Sequence, residues 1–366
     1  MFIILIAHTP GNWLTLWIPA RFGFSDATEV FVFCSGMASA IAFGAVFRDQ
    51  GLLMGTARVA FRCWQVYWAH ICLFVAITVT MVALNASGLF ERDYMGQLNL
   101  YPFFKDPAAN LLGLVTLTYV PNYFDILPMY LVVLAMMPLV VACHKAHPIL
   151  ALLLVFGVWF GAQLDVFALP AEPWSAREWF FNPFGWQLVF FTGFAFMSGW
   201  LPTPPRHRLL TIFAAAVVLV IIPLAYYRIT RELPQVREWR TEYKILIAKT
   251  DFGLLRYVHF LALAYLCWVA VGEAGRRILP PQTGGIAAEI WRRMLAIIMK
   301  VGQQSLAVFI TSMFTARLLG VALDTLGRSF YINQVVVNMA GFAILIAVAF
   351  GVGWFKSQPW RKKVVR

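Results

Sequence analysis

Windows of about 20 residues, the length that crosses a bilayer as a helix, single out ten apolar runs along the chain. They lie at 1–16, 29–47, 63–84, 124–143, 149–167, 184–200, 209–227, 252–271, 305–323 and 332–355. A shorter stretch at 111–119, between Pro107 and Pro121, reads as re-entrant or packed rather than as a crossing. The pattern predicts an all-α fold: a polytopic transmembrane helical bundle of about ten spans. The spans form one membrane domain over 1–355, followed by a basic tail at 356–366.

Charge sets the expected orientation. One set of alternating loops holds Arg48, Arg58 and Arg62, then Lys145, Arg206 and Arg208, and later Arg276, Arg277, Arg292, Arg293 and Lys300. The opposite loops mix cations with acids, as in Glu91-Arg92-Asp93 and in 226–251, the largest polar insertion. Cations favour the cytoplasmic side, so the first set and both termini are expected there. The first run begins at Met1 with no cation ahead of it and is interrupted by His8-Thr9-Pro10-Gly11-Asn12. Either a segment is missing upstream, the favoured reading, or this first helix is unusually short.

Composition agrees with this picture. Of 366 residues, 61% are hydrophobic and 13% charged. A soluble domain carries about twice that share of charge, so soluble, disordered and disulfide-knit classes are excluded. The net charge of +12 sits between apolar runs without aromatic interleaving. It fits anionic lipid headgroups rather than nucleic acid. Cys34, Cys63, Cys72, Cys143 and Cys267 fall in or beside apolar segments with no metal spacing and read as small core residues. No cleavable signal is visible.

Ionisable groups inside spans are costly and mark candidate sites. His8 lies in the first run, with Asp26 and Glu29 at the mouth of the second. A histidine near two carboxylates suits general-base work, one acid holding the tautomer while the other nitrogen takes a proton. Asp26 can equally be a cap, because Ser25-Asp26-Ala27-Thr28-Glu29 resembles a capping box. Arg58, Arg62 and His70 form a basic stripe able to grip the phosphates of a nucleotide-like donor or to anchor in lipid. Asp125, near Tyr130 at the start of the fourth run, needs a partner, for which Arg256 and His259 are the candidates. Asn182, Gln187 and Gln304 are uncharged and suit interhelical hydrogen bonds as well as substrate contact. His144 and His147 lack a third ligand and read as a surface pair, so no metal site is expected. Soluble-type acyltransferase, nucleophile-elbow, Walker and dinucleotide motifs are absent.

These stretches, taken in order, resemble the OpgC-like proteins, named for succinylation of osmoregulated periplasmic glucans, within the acyltransferase-3-type integral membrane acyltransferases. The resemblance rests on His8, the Gly23-Phe24-Ser25-Asp26-Ala27-Thr28-Glu29 run continuing through Cys34-Ser35-Gly36, and the segment from Arg62 to His70. It continues through the stretch from Tyr123 to Tyr130, Asn182-Pro183 with Trp186-Gln187, Arg256 with His259-Phe260, and Gly302-Gln303-Gln304-Ser305. It implies transfer of an acyl group, succinyl or acetyl, from an acyl-CoA co-substrate to a periplasmic glucan or other envelope glycan, at a bacterial inner membrane. No tightly bound cofactor is expected. His8 matches the family's first-helix histidine, and Asp26 and Glu29 match its acidic pair. The family's usual Asp/Arg-bearing stretch before the first helix has no counterpart here.

Hydroxyl attack on a thioester needs a base and donors for the oxyanion. His8 is the expected base, or a transiently acylated relay; Arg256 or Gln304 are candidate donors. The expected partners are membrane lipids, the donor and the glycan, with a second copy of the chain left open and no nucleic acid. Three rivals stand: a proton-coupled transporter or flippase, a membrane-bound O-acyltransferase of the other type with His259 as base, and, more weakly, a non-catalytic assembly partner that presents lipid or glycan to another enzyme.

Overall fold

The computed structural model describes residues 1–281 and 284–361; the last five residues of the basic tail, 362–366, lie outside the described residues. Among these residues the chain is helical, and an isolated antiparallel bridge between Pro170 and Glu178 is its one extended pairing. Seven helices are long and apolar enough to cross a membrane: Ala27–Asp49, Gly51–Ala86, Ile126–Ala146, Arg208–Ala225, Leu254–Val271, Ser305–Leu326 and Tyr331–Ser357. They make this a multi-pass membrane protein. Two more of the expected runs form shorter apolar helices, Pro148–Gln163 and Pro183–Met197, and the 111–119 stretch belongs to Pro107–Thr116.

The helices divide into two compact units, Phe22–Leu266 and Met1–Arg21 with Cys267–Arg366. In the first, Ala27–Asp49 crosses Pro183–Met197 at two glycines. A Cβ on Gly36 would land on the Phe190 carbonyl oxygen, and one on Gly193 on that of Phe33. Only glycine lets the two backbones come so close. The shorter helix is buried on almost every side, from Pro183 to Phe194. It starts at Asn182, whose side chain accepts from Phe184 N–H, with Pro183 in the first turn. Proline there costs no hydrogen bond. Helix Gly51–Ala86 runs for 36 residues, about 54 Å, longer than a hydrocarbon core. Arg58 and Arg62 therefore lie on the helix rather than in a loop. Between Arg208–Ala225 and Leu254–Val271 the polar insertion folds as three short helices, Tyr227–Glu232, Pro234–Glu242 and Lys244–Ile247.

In the second unit the first expected run does not stay helical to residue 16. Helix Phe2–His8 ends before Thr9, and a 3-10 turn follows at Trp13–Leu16. Pro10 cannot continue the hydrogen-bond ladder, and Gly11 turns with φ +77°. The broken backbone is satisfied from Tyr331–Ser357: Asn12 and Asn338 exchange side-chain hydrogen bonds, and Gln334 donates to the Gly11 carbonyl and accepts from Trp13 N–H. Leu5, Val308, Leu323, Val337 and Leu345 build this unit's core. The cation-bearing segment expected as a loop after 276 contains a helix, Ile286–Gln303, on which Arg292 and Arg293 both pair with Glu289. Its apolar residues alternate with charge at helical spacing, which keeps average hydropathy low and hides it from a 20-residue window.

Candidate active site

A cluster of charged and polar side chains in the larger unit gathers where Ala27–Asp49 begins. Asp26 caps that helix in extended conformation. Its Oδ1 accepts from Thr28 N–H at 2.7 Å, and Glu29 Oε2 accepts from Asp26 N–H at 2.7 Å. This is the reciprocal capping box. The remaining carboxylate oxygens take cations from far along the chain. Lys249 Nζ donates to Asp26 Oδ2 at 2.5 Å, and Arg256 Nη1 donates to Glu29 Oε1 at 2.7 Å. Glu29 is 0% exposed and the Arg256 side chain 10%. Burial alone would raise the Asp26 carboxyl, but the charge and hydrogen bond of Lys249 outweigh it and hold Asp26 well below the usual carboxylate range.

One turn beyond Arg256, His259 packs against the Gly23-Phe24-Ser25 loop. A Cβ at position 23 would come within 2.2 Å of His259 Cε1, so any larger residue there would push the imidazole away. Both Ser25 N–H, at 3.2 Å, and Ser25 Oγ, at 2.6 Å, approach His259 Nδ1. A backbone N–H can only donate, so Nδ1 is the acceptor and the ring proton of the neutral imidazole sits on Nε2. Phe24 meets the imidazole edge-on and stacks on Trp239 at 6.4 Å, with the Arg240 guanidinium 5.9 Å from its ring centre. Lys249 lies 5.5 Å from the Phe181 ring, and its carbonyl accepts from Trp186 Nε1. Arg256 Nε–H is buried without a hydrogen-bond partner among the described residues. A buried charged donor left unpaired is costly, and it marks the guanidinium as the group with unused capacity.

The structure thus joins Glu29 to Arg256 and Asp26 to Lys249, and brings His259 beside them through Ser25. Asp125 takes neither Arg256 nor His259, the partners expected for it. Arg256 is committed to Glu29 and His259 to Ser25. The cation acting on Asp125 is Arg177, which also binds Glu172 at 2.9 Å and the Val120 carbonyl at 2.8 Å. Burial pushes the Asp125 carboxyl up to about 7, the Arg177 charge offsetting only part of it.

The basic stripe is split. Arg58 is exposed and His70 is buried, both ring nitrogens without a hydrogen-bond partner among the described residues. Arg62 donates to Gln65 and, with Ser39, meets the Tyr130 hydroxyl. Asn182 donates to the Phe167 carbonyl and Asp251 Oδ1, tying two loops to the start of its helix, and Gln187 donates to the Val155 carbonyl, tying two helices together. His144 stacks on Trp200 at 3.7 Å, and His147 Nδ1 accepts from Ile149 N–H. No group of three or more His, Cys, Asp or Glu among the described residues is arranged to hold a metal ion.

His8 and Gln304 belong to the other unit. His8 Nδ1 lies 2.8 Å from the Ile4 carbonyl oxygen. A carbonyl only accepts, so Nδ1 donates and the lone pair of the neutral ring is on Nε2. Gln304 accepts from Lys356 Nζ at 2.7 Å. Sequence reasoning missed Ser25 and Lys249. Ser25 stood next to the capping box, and Lys249 lay in a mixed-charge loop whose charges spoke only to topology.

Against known families, a model described as OpgC protein matches residues 1–357. No curated protein and no solved structure matches the chain.

Proposed function

The chain belongs to the OpgC protein family, and on that premise we propose that it is an integral membrane O-acyltransferase of a bacterial inner membrane. It moves a small acyl group, best succinyl, from a cytosolic acyl-CoA to a hydroxyl of a periplasmic glucan or another envelope glycan. The alternation of basic and mixed-charge loops supports placing both termini in the cytoplasm and the 226–251 insertion on the periplasmic side.

In the reaction the acceptor oxygen bonds to the thioester carbonyl carbon and the carbon–sulfur bond breaks. CoA departs with the sulfur electron pair, and the hydroxyl proton passes through a base to the thiolate. We assign the base to His8, because its Nδ1–H is held by the Ile4 carbonyl and its Nε2 carries the lone pair. His259 has the opposite tautomer and suits a donor rather than a base, which weighs against the rival reading built on it. Arg256 and His259 are assigned to bind substrate oxygen through Nε–H and Nε2–H. Asp26 and Glu29 serve by fixing Lys249 and Arg256. Arg62, beside Tyr130, with exposed Arg58, is the proposed grip on donor phosphates.

The observation that carries the reading is Arg256: a guanidinium fixed by a fully buried carboxylate, with one donor unengaged in a water-poor setting. Preorganised donors of that kind hold a substrate oxygen at a fixed point. Mass spectrometry of a glucan incubated with purified protein and succinyl-CoA tests it. Acyl-bearing glucan that disappears with Arg256→Met is expected; unmodified glucan with every acyl-CoA and acceptor offered sinks the proposal.

A further inference from the structure

Outside the cluster, the surface of the polar insertion carries a wide-open cavity of about 540 Å³ lined by Thr230, Arg231, Arg237, Arg240, Thr241 and Lys244. Such a volume lies within the usual range for small-molecule sites. Four of the six lining residues are cations and none is an acid. The bias comes from helical spacing: Arg237, Arg240 and Thr241 are three and four apart on Pro234–Glu242 and share a face, with Lys244 one turn on. Glu238 and Glu242, four apart, fall on a different face. Glu232 pairs with its neighbour Arg231 on the exposed rim, and Arg237 and Lys244 have no acid partner among the described residues. Arg240 is half-buried and pinned by its Nη1 to the Leu224 carbonyl at 2.7 Å. Burial and the positive charge of Arg256 both push its pKa down, so the field of this cavity and that of the cluster overlap. Through Phe24, which stacks on Trp239 and touches His259, the cavity adjoins the Ser25 loop.

We propose that this cavity is an anion subsite that holds a carboxylate or phosphate carried on the acceptor glycan. The proposal rests on the acyltransferase reading and names a substrate class within it: acceptors already bearing negative charge. Planar guanidinium groups match carboxylate and phosphate oxygens in pairs. A dicarboxylic acyl group leaves a carboxylate on each sugar it modifies, so a chain once acylated is held more tightly for the next transfer.

The test measures binding of a neutral oligoglucan and its carboxymethylated form to full-length protein in phosphatidylcholine nanodiscs. The wild type is compared with Arg237→Gln/Lys244→Gln, thermal melting being used to confirm folding. Expected is at least tenfold tighter binding of the charged glucan by the wild type, weakened by salt and absent in the variant. Arg237→Glu/Lys244→Glu should instead prefer an aminated glucan. Equal affinity for both glucans, or a preference that survives Arg237→Gln/Lys244→Gln, overturns the proposal. Loss of the wild-type preference when phosphatidylglycerol replaces half of the lipid would assign the cavity to a headgroup and overturn the glycan as occupant. Binding needs no turnover, so a charged-glucan preference without acyl transfer would refute the enzyme reading and leave the subsite standing.

Discussion

Replacing Glu29 by glutamine leaves the shape of the side chain but removes the negative charge opposite Arg256. The pair is separated by 2.7 Å, with Glu29 fully buried and the Arg256 side chain 10% exposed. At an effective dielectric of about 20, two charges 3–4 Å apart attract by about 4–6 kcal/mol, against a desolvation cost of several kcal/mol per ion. Their net worth is therefore small, whereas the cost of leaving one behind is not. Glu29→Gln strands Arg256, whose Nε–H already lacks an acceptor, and puts either an amide N–H or a neutral oxygen against two donors. A loss of about 3–5 kcal/mol is expected. Glu29→Leu/Arg256→Met removes both charges and should recover most of it while abolishing acyl transfer. The assay is thermal unfolding in detergent, followed by helical circular dichroism, for wild type, Glu29→Gln, the singles Glu29→Leu and Arg256→Met, and the double. A single variant that melts with the wild type, or a double no better than the worse single, would refute the argument that this pair is a buried, mutually dependent unit.

Three further outcomes follow from other parts of the fold. Gly36→Ala and Gly193→Ala each drive a Cβ into a partner backbone carbonyl; overpacking costs about 1–3 kcal/mol, so both should melt earlier than the wild type, and unchanged melting would mean the helices part freely. Asp125 binds its proton more tightly folded than unfolded, so its contribution to stability should fall as pH rises from about 4 to about 7. Asp125→Asn should flatten the stability–pH curve across that window, and a persistent slope would point to another group. Asp26 is shifted the other way by Lys249. Its contribution is fully present above about pH 4 and is lost only as pH falls through its lowered folded value. Lys249→Met should therefore bring acid unfolding to a higher pH; identical acid midpoints would remove Lys249 from the account.

The local grammar of the site was legible. Ser25-Asp26-Ala27-Thr28-Glu29 reads as a helix start because capping is decided by neighbours, and the structure builds that cap. Six long runs match spanning helices within a few residues, because apolar length is also a local property; the seventh helix starts at Gly51, a dozen residues before its expected run. The pairings were not legible. Glu29 and Arg256 are 227 positions apart, and a chain alone does not say whether Arg256 serves Glu29 or Asp125; burial of both acids made each a fair claimant. His8-Thr9-Pro10-Gly11-Asn12 was visible as an interruption, yet the window average carried the helix past it. The backbone instead stops at His8 and is satisfied by Asn338 and Gln334. Helix Ile286–Gln303 and the cationic cavity escaped for a shared reason: their order lies in the angular spacing of charge, which averages discard.

The claim that His8 is the base of a CoA-dependent transfer is tested most directly by the rate of free CoA release from purified protein. Succinyl-CoA and acetyl-CoA are supplied in turn with a glucan acceptor, and wild type is compared with His8→Ala. Expected is release that requires acceptor, is faster with succinyl-CoA, and drops by at least about 10²-fold in the variant. Undiminished release by His8→Ala would move the base elsewhere, and no release by folded wild type with any donor would replace the enzyme with a transporter.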